Sequence, residues 1–331
     1  MRCQFIDLGG ILRGRAVHRR HLSGVLRDGI PFAKINNIVD IDDGESDLAL
    51  GSQAGDFWAV PDPSTLHRVP HTHSSAQMFC DLVAADGSPW ATCGRAAVRR
   101  VNELVEQELG SVSLGFEQEG YILRKNGGRY EPVVVGRQMQ PEILDRLDGF
   151  ITDLTAALQV MDVPVEKMTA EGGGGMFEVN IPQGTPLEAS ERWFRCKQVF
   201  RIVAGRSHPG PERQVRRIEV RSPDGTCNPY LLAAALLAAG LDGVRRRLDP
   251  GPATEYDVAH PGVSGPPAGE LPRRLPSNLD AALDWLEADH ALRELVGPEP
   301  IDAYVKLKRI EWAKFMAHVT GWERRYYAEF F

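Results

Sequence analysis

The sequence predicts an α+β protein of two domains, and three observations carry that prediction. Short strand-like segments bounded by turn residues dominate the N-terminal third. Helical periodicity sets in at Arg95 and recurs toward the C-terminus, mixed with strands in which apolar and acidic residues alternate. A length of 331 residues, at roughly 150 per domain, makes two domains the expectation and leaves ample chain to bury a core.

In chain order, Arg2 to Leu8 reads as a strand and Asp7-Leu8-Gly9-Gly10 as the turn after it. Ala76 to Val83 (AQMFCDLV) reads as another strand, followed by the hairpin-like turn Asp86-Gly87. Between them Ile38 to Pro63, rich in Asp, Gly and Ser, reads as a long loop, either functional or a surface excursion. Val98, Val101, Val105 and Leu109 then fall on one face of a helix that ends at Gly110 and links the two domains. Pro141 to Leu158 repeats the pattern, with proline in the first turn, where its missing N–H costs nothing. Thr185-Pro186-Leu187-Glu188 has the form of a capping box and opens a helix through Val203, and Asn228-Pro229 caps an apolar helix from Tyr230 to Val244. A Pro/Gly-rich stretch from Asp249 to Pro276 precedes two helices, Leu279 to Leu295 and Ile301 to Phe315 or beyond.

Three strand-like segments place acids where the packing pattern makes them conspicuous. In Leu114 to Glu119, alternation puts Glu117 and Glu119 on one face. In Met176 to Ile181, the residues Phe177, Val179 and Ile181 take one face and leave Glu178 and Asn180 on the other; in Arg217 to Arg221, Ile218 and Val220 oppose Arg217, Glu219 and Arg221. A wetted outer face explains each strand taken singly. Four consecutive glycines after Glu171 argue for more, because the run carries an entropic penalty and suits a backbone that passes close to a ligand. Converging carboxylates bind hard cations such as Mg²⁺ or Mn²⁺, and arginines beside them suit phosphoryl transfer.

Composition limits the alternatives. With 38 Lys and Arg against 45 Asp and Glu, the formal charge of -7 argues against a nucleic-acid partner. The longest apolar stretch, around Leu231 to Leu241, is too short to span a bilayer, and Met1 to Gly10 carries Asp7 where a secretory segment would be apolar, so no membrane partner and a cytoplasmic location are expected. Five scattered cysteines (Cys3, Cys80, Cys93, Cys196, Cys227) without a CxxC pair read as reduced, mostly buried thiols.

These residues also carry a resemblance to the glutamine synthetase family over most of the chain. QFIDLGGILRGRAV, then PDPSTL and AQMFCDLVAADGSPW, resemble the strands of its small N-terminal domain of the β-grasp type. LGFEQEGYIL resembles the family's paired-glutamate strand, EGGGGMFEVNI its second acidic segment, TPLEASERWFRCKQVFRIV the helix that follows, and RRIEVRSPDGTCNPYLLAAALLAAGLDGV its most specific stretch. The tail, LPSNLDAALDWLEADHALRELVG and AYVKLKRIEWAKFMAHVTGWERRYY, is similar to the final helices. The resemblance implies a β-grasp-like domain over 1–93 and a catalytic domain over 94–331 with a curved, mainly antiparallel sheet flanked by helices. It implies that Glu117, Glu119, Glu171, Glu178 and Glu219 ligate Mg²⁺ or Mn²⁺, and that Arg217 and Arg221 contact nucleotide phosphate and the transferred phosphoryl group. It further implies an ATP-dependent ligase that joins a small-molecule carboxylate to an amine through an acyl phosphate, and a homo-oligomer.

The departures are as informative. Met176 stands where the family commonly has Gln, and the loop containing Asp56 has no clear match to the family's ammonium-binding aspartate loop. A long family segment that carries a histidine ligand, nucleotide and glutamate contacts and two further arginines is replaced by the short bridge 204–216 (AGRSHPGPERQVR). His208 is a candidate substitute ligand, with Arg206 or Arg213 as replacement charge; the alternative is a plain turn made by Ser207, Pro209 and Gly210. His71-Thr72-His73 reads as a solvated edge, and Tyr256-Asp257 resembles the family's nucleotidylation loop in altered surroundings. The expectation is a ligase acting on a non-standard substrate in specialised metabolism. A metal-dependent enzyme that has lost ATP use, or a noncatalytic oligomer-forming relative, stands as the alternative.

Overall fold

The computed structural model describes residues 1–43, 55–126, 129–203, 220, 222–251 and 274–327. The predicted α+β architecture is what it contains. The N-terminal sheet runs β2-β1-β6-β4-β3, where β1 is Arg2–Ile6, β2 Leu12–Ala16, β3 Ile30–Ala33, β4 Asp56–Pro61 and β6 Ala76–Val83, with the short β5 (His67–Arg68) also on β6. β1 lies parallel to β6 and the other pairs are antiparallel. Helix α1 (Leu22–Asp28) packs against β4. Alternate residues of these strands, Cys3, Phe5, Phe32, Phe57, Ala59, Cys80 and Leu82, fill the space beneath the sheet. Phe5 meets the rings of Phe32 and Phe57 edge-on at 5.0 and 5.5 Å, the geometry that ring quadrupoles favour.

The reading of Ile38 to Pro63 as one loop is corrected here, because β4 lies within it and pairs with both β3 and β6. Phe57 and Ala59 are fully buried. The segment FWAV is too short to stand out against its Asp-, Gly- and Ser-rich flanks, and its strand character depends on partners distant in sequence. The five cysteines are free and all but Cys227 are buried, as expected.

Helix α2 (Gly94–Leu109) buries Ala97, Val98, Val101 and Val105 against later helices and stops at Gly110, whose φ of 89° only glycine adopts freely. Leu109, predicted on the same face, is half exposed in the last turn. The single helix expected over Pro141 to Leu158 is two, α3 (Pro141–Arg146) and α4 (Asp148–Val160), because Leu147 leaves helical geometry just before the poor helix formers Asp148 and Gly149. α5 (Pro186–Val203) has the predicted capping box: Glu188 Oε2 accepts from Thr185 N at 3.1 Å, and Glu188 N donates back to Thr185 Oγ1 at 3.4 Å. Asn228 Oδ1 caps α6 (Pro229–Arg245) by accepting from Tyr230 N and Leu231 N. Leu279 to Leu295 likewise splits into α7 (Leu279–Ala288) and α8 (His290–Val296), since Asp289 is extended and its side chain caps α8 at Leu292 N. The chain ends in α9 (Pro298–Met316) and α10 (Gly321–Tyr327). No helix among the described residues is long and apolar enough to cross a membrane.

The second sheet has the order β10-β11-β7, all antiparallel, with β7 at Glu117–Tyr121, β10 at Lys167–Ala170 and β11 at Met176–Asn180; β8 (Leu123–Asn126) and β9 (Arg129–Pro132) form a separate hairpin. One face of this sheet is sealed by α4 and α5: Phe177 packs on Phe150 and Phe200 with ring centroids 5.3 and 6.3 Å apart. Helices on that face leave the other, polar face for chemistry.

Between the N-terminal sheet and the helices sits a buried ion cluster. Arg95 on α2, 3% exposed, meets Asp62 at 2.8 Å, Asp81 of β6 at 2.9 Å and Glu191 of α5 at 2.8 Å. Beside it Arg195 of α5 contacts the ring of His67 and donates to the carbonyl of Met161.

Candidate active site

The register of β10, β11 and β7 aligns the polar face in two rows: Lys167, Asn180 and Glu117 in one, Thr169, Glu178 and Glu119 in the other. The sequence-predicted acids of two strands, separated by some sixty residues of chain, are thereby direct cross-strand neighbours. Like charges placed so are repulsive unless something neutral or positive intervenes.

This face is only partly wetted, contrary to the plain reading of an exposed side. Glu117 and Glu119 are exposed, whereas Glu178 and Asn180 are 9% and 4% exposed. Burial, reinforced by the neighbouring Glu117 and Glu171 carboxylates and opposed by a hydrogen bond from Asn180, pushes the Glu178 carboxyl up to about 7. Glu171 follows β10 directly, and its carboxyl is in hydrogen-bond contact with that of Glu178. Gln138 Nε2 holds the Glu171 carboxylate from outside at 2.7 Å, and Asn180 Nδ2 holds that of Glu117 at 2.8 Å.

Two of the four glycines are tightly packed against the chain itself. Gly175 has φ 77°, and a Cβ there would stand 2.6 Å from the carbonyl oxygen of Ile122; one on Gly174 would stand 2.9 Å from the ring of Pro132. Ile122 N donates to the Gly175 carbonyl at 2.7 Å. These two close approaches are to the chain itself, at the Ile122 carbonyl and the Pro132 ring, in the turn that begins at Glu171.

Of the predicted site residues, the structure brings together Glu117, Glu119, Glu171 and Glu178. Arg217, Glu219, Arg221 and His208 lie outside the described residues, as do the rest of the bridge 204–216 and Tyr256-Asp257. The carboxylates on the described face offer oxygen donors, and a carboxyl group whose proton is held first by burial and then by its acidic neighbours is in an environment that a hard cation relieves. No three His, Cys, Asp or Glu side chains among the described residues are gathered tightly enough to enclose an ion by themselves. The described face therefore fits one wall of a cation site. Asp56 opens β4 in the other sheet, and the exposed His71 and His73 sit in a turn rather than on a strand. Sequence reasoning noted Asn180 only as a polar residue in alternation, and it had no signal for Gln138, which a loop brings to Glu171.

Comparison with known proteins gives a consistent picture. The family described as glutamine synthetase N-terminal domain matches residues 1–90, and that described as glutamine synthetase, catalytic domain, matches 91–209 and 206–327, as two stretches that meet in the bridge. A glutamate–methylamine ligase from Methyloversatilis universalis is 26% identical over 440 aligned positions, covering 99% of this chain and 96% of the relative. A glutamine synthetase from Methanocaldococcus jannaschii is 39% identical over 403 positions, covering 91% and 86%. Among solved structures, a GmaS/ADP complex superposes with a TM-score of 0.81 at 22% identity, covering 99% of this chain and 96% of that one. The alignment of 440 positions against a chain of 331 makes the difference in length internal.

Proposed function

The chain belongs to the glutamine synthetase family, a carbon–nitrogen ligase by that descent, and we propose that it joins a small-molecule carboxylate to an amine with ATP and Mg²⁺ or Mn²⁺, on a substrate other than glutamate with ammonia. The observation that carries the reading is the placing of Glu117, Glu119 and Glu178 on one sheet face, with Glu171 of the adjoining turn against Glu178, whose carboxyl is pushed up to about 7. We assign 1–93 to a β-grasp-like domain and 94–331 to the catalytic domain, and we expect a cytoplasmic homo-oligomer.

Glu117, Glu119 and Glu178 would hold the ion from the sheet and Glu171 from the turn, with Glu219 and His208 as candidates to complete the set. When bound, the ion would neutralise phosphate charge and ATP would supply the phosphoryl group that makes a carboxylate open to amine attack. With an ion bound, Glu178 would be held as the carboxylate, while Gln138 and Asn180 would keep the flanking carboxylates aimed and Arg217 and Arg221 are proposed to face phosphate. The internal shortening favours a second reading, a metal-dependent enzyme without ATP, because the nucleotide contacts of the family fall in the replaced segment.

A thermal-shift series separates these readings. Mn²⁺ alone is expected to raise the melting temperature, by preferential binding to the native state, and ATP to raise it further. Amine-dependent phosphate release across a panel of carboxylates would single out the ligase; a shift with Mn²⁺ and none with ATP would favour the second reading. If neither ion moves the melting temperature, in the wild type or in Glu119→Ala, the cation site is wrong. Unaltered Mn²⁺ affinity in His208→Ala would remove His208 from the ligand set.

A further inference from the structure

Asn180 makes an asymmetric set of contacts for a side chain that is 4% exposed. Its Nδ2 donates to Glu117 Oε1 at 2.8 Å, and it also hydrogen-bonds Glu178, so one amide touches two of the acids on neighbouring strands. Its Oδ1 is buried and has no hydrogen-bond partner among the described residues. A buried amide oxygen left without a donor is costly, and such an atom calls for a partner that arrives with a ligand. The register puts Asn180 on the acid face, between Glu117 on β7 and Lys167 on β10.

We propose that Asn180 is a positioning residue of the cation site: it fixes the Glu117 carboxylate through its amide nitrogen and offers its buried oxygen to a donor brought by the hydrated ion. The inference rests on the cation-site reading above and deepens it. A bare carboxylate at position 180 would add charge beside Glu117 and Glu178 and lose the donor. An apolar residue would remove the amide's hydrogen bond to Glu117. An amide both donates to a carboxylate and accepts from a water, which is the role that hydrogen-bonding partners of metal ligands generally play.

The test is a double-mutant cycle read by Mn²⁺ titration calorimetry and by the electron paramagnetic resonance spectrum of the bound ion. Wild type, Asn180→Ala, Glu117→Gln and the double variant are compared, with circular dichroism to verify folding. Asn180→Ala is expected to weaken Mn²⁺ about 10-fold or more, the range found for partners of metal ligands. The same substitution made on Glu117→Gln should cost far less, because the carboxylate it positions is already gone. Should Asn180→Ala fail to fold, Asn180→Val, which suits a strand and carries neither donor nor acceptor in its side chain, takes its place. Unchanged Mn²⁺ affinity in a folded Asn180 variant, or an equal loss in both backgrounds, would overturn the proposal while leaving the cation site standing. Absence of Mn²⁺ binding by the wild type would overturn the cation site itself, and this inference with it.

Discussion

Glu178 concentrates the chemistry at the residue scale. Its identity and its place opposite the apolar set were legible from alternation alone. Its burial was not, since that depends on how β10 and β7 flank β11. The sign of the resulting pH effect follows from the shift: the folded protein keeps this proton up to about 7, above the ordinary 4.5, so the residue's contribution declines as pH rises through that window and is lost above it. Relative to Glu178→Gln, the metal-free wild type should lose about 2.5 kcal/mol between pH 5 and 8, measured by urea denaturation, and Mn²⁺ should reverse the trend. The comparison with the variant is needed because His67 pulls the other way. Burial and the Arg195 charge push its ring down to about 4, so its neutral form favours the fold above 6.5 and opposes it as pH falls toward 4.

At the scale of elements, the helix starts were readable and several helix breaks were not. Thr185 with Glu188, and Asn228 with Pro229, act on backbone donors two or three residues away, so the signal is contained in the sequence window. The breaks at Leu147 and Asp289 interrupt otherwise continuous apolar stripes, and periodicity runs straight through them. The glycine turn between β10 and β11 makes a sharper case. Gly175→Ala should cost at least about 2 kcal/mol, because both φ and the Ile122 carbonyl exclude a Cβ. Gly172→Ala, whose nearest contact would be an ordinary 3.7 Å from Gln138, should change stability by less than about 1 kcal/mol. Urea midpoints of the two variants check the contrast, and a matching loss in both would show that the run is rigid for another reason. Gly175→Ala should also weaken Mn²⁺ binding, since the turn begins at Glu171.

Across the whole molecule, Arg95 ties the N-terminal sheet to the helices that carry the acid face. Its three carboxylate partners come from β6, the end of β4 and α5, so deleting the guanidinium leaves acids in a low-dielectric seam. Arg95→Met is expected to lose about 3–5 kcal/mol by urea denaturation, and adding Glu191→Gln should recover part of it. Full retention of stability in Arg95→Met would mean the seam is held by its apolar contacts alone. No local pattern announces this cluster, because Arg95 opens an ordinary amphipathic helix. The sequence by itself determined the fold class, the caps and the acids placed along two strands, for these depend on residue spacings within a few positions. Tertiary structure alone decided that β4 is a strand, that the glycines pack on Ile122 and Pro132, and that Asn180 is buried with one polar atom to spare. Each of those outcomes depends on a contact between residues far apart in the chain, where burial and register, rather than composition, set the energy.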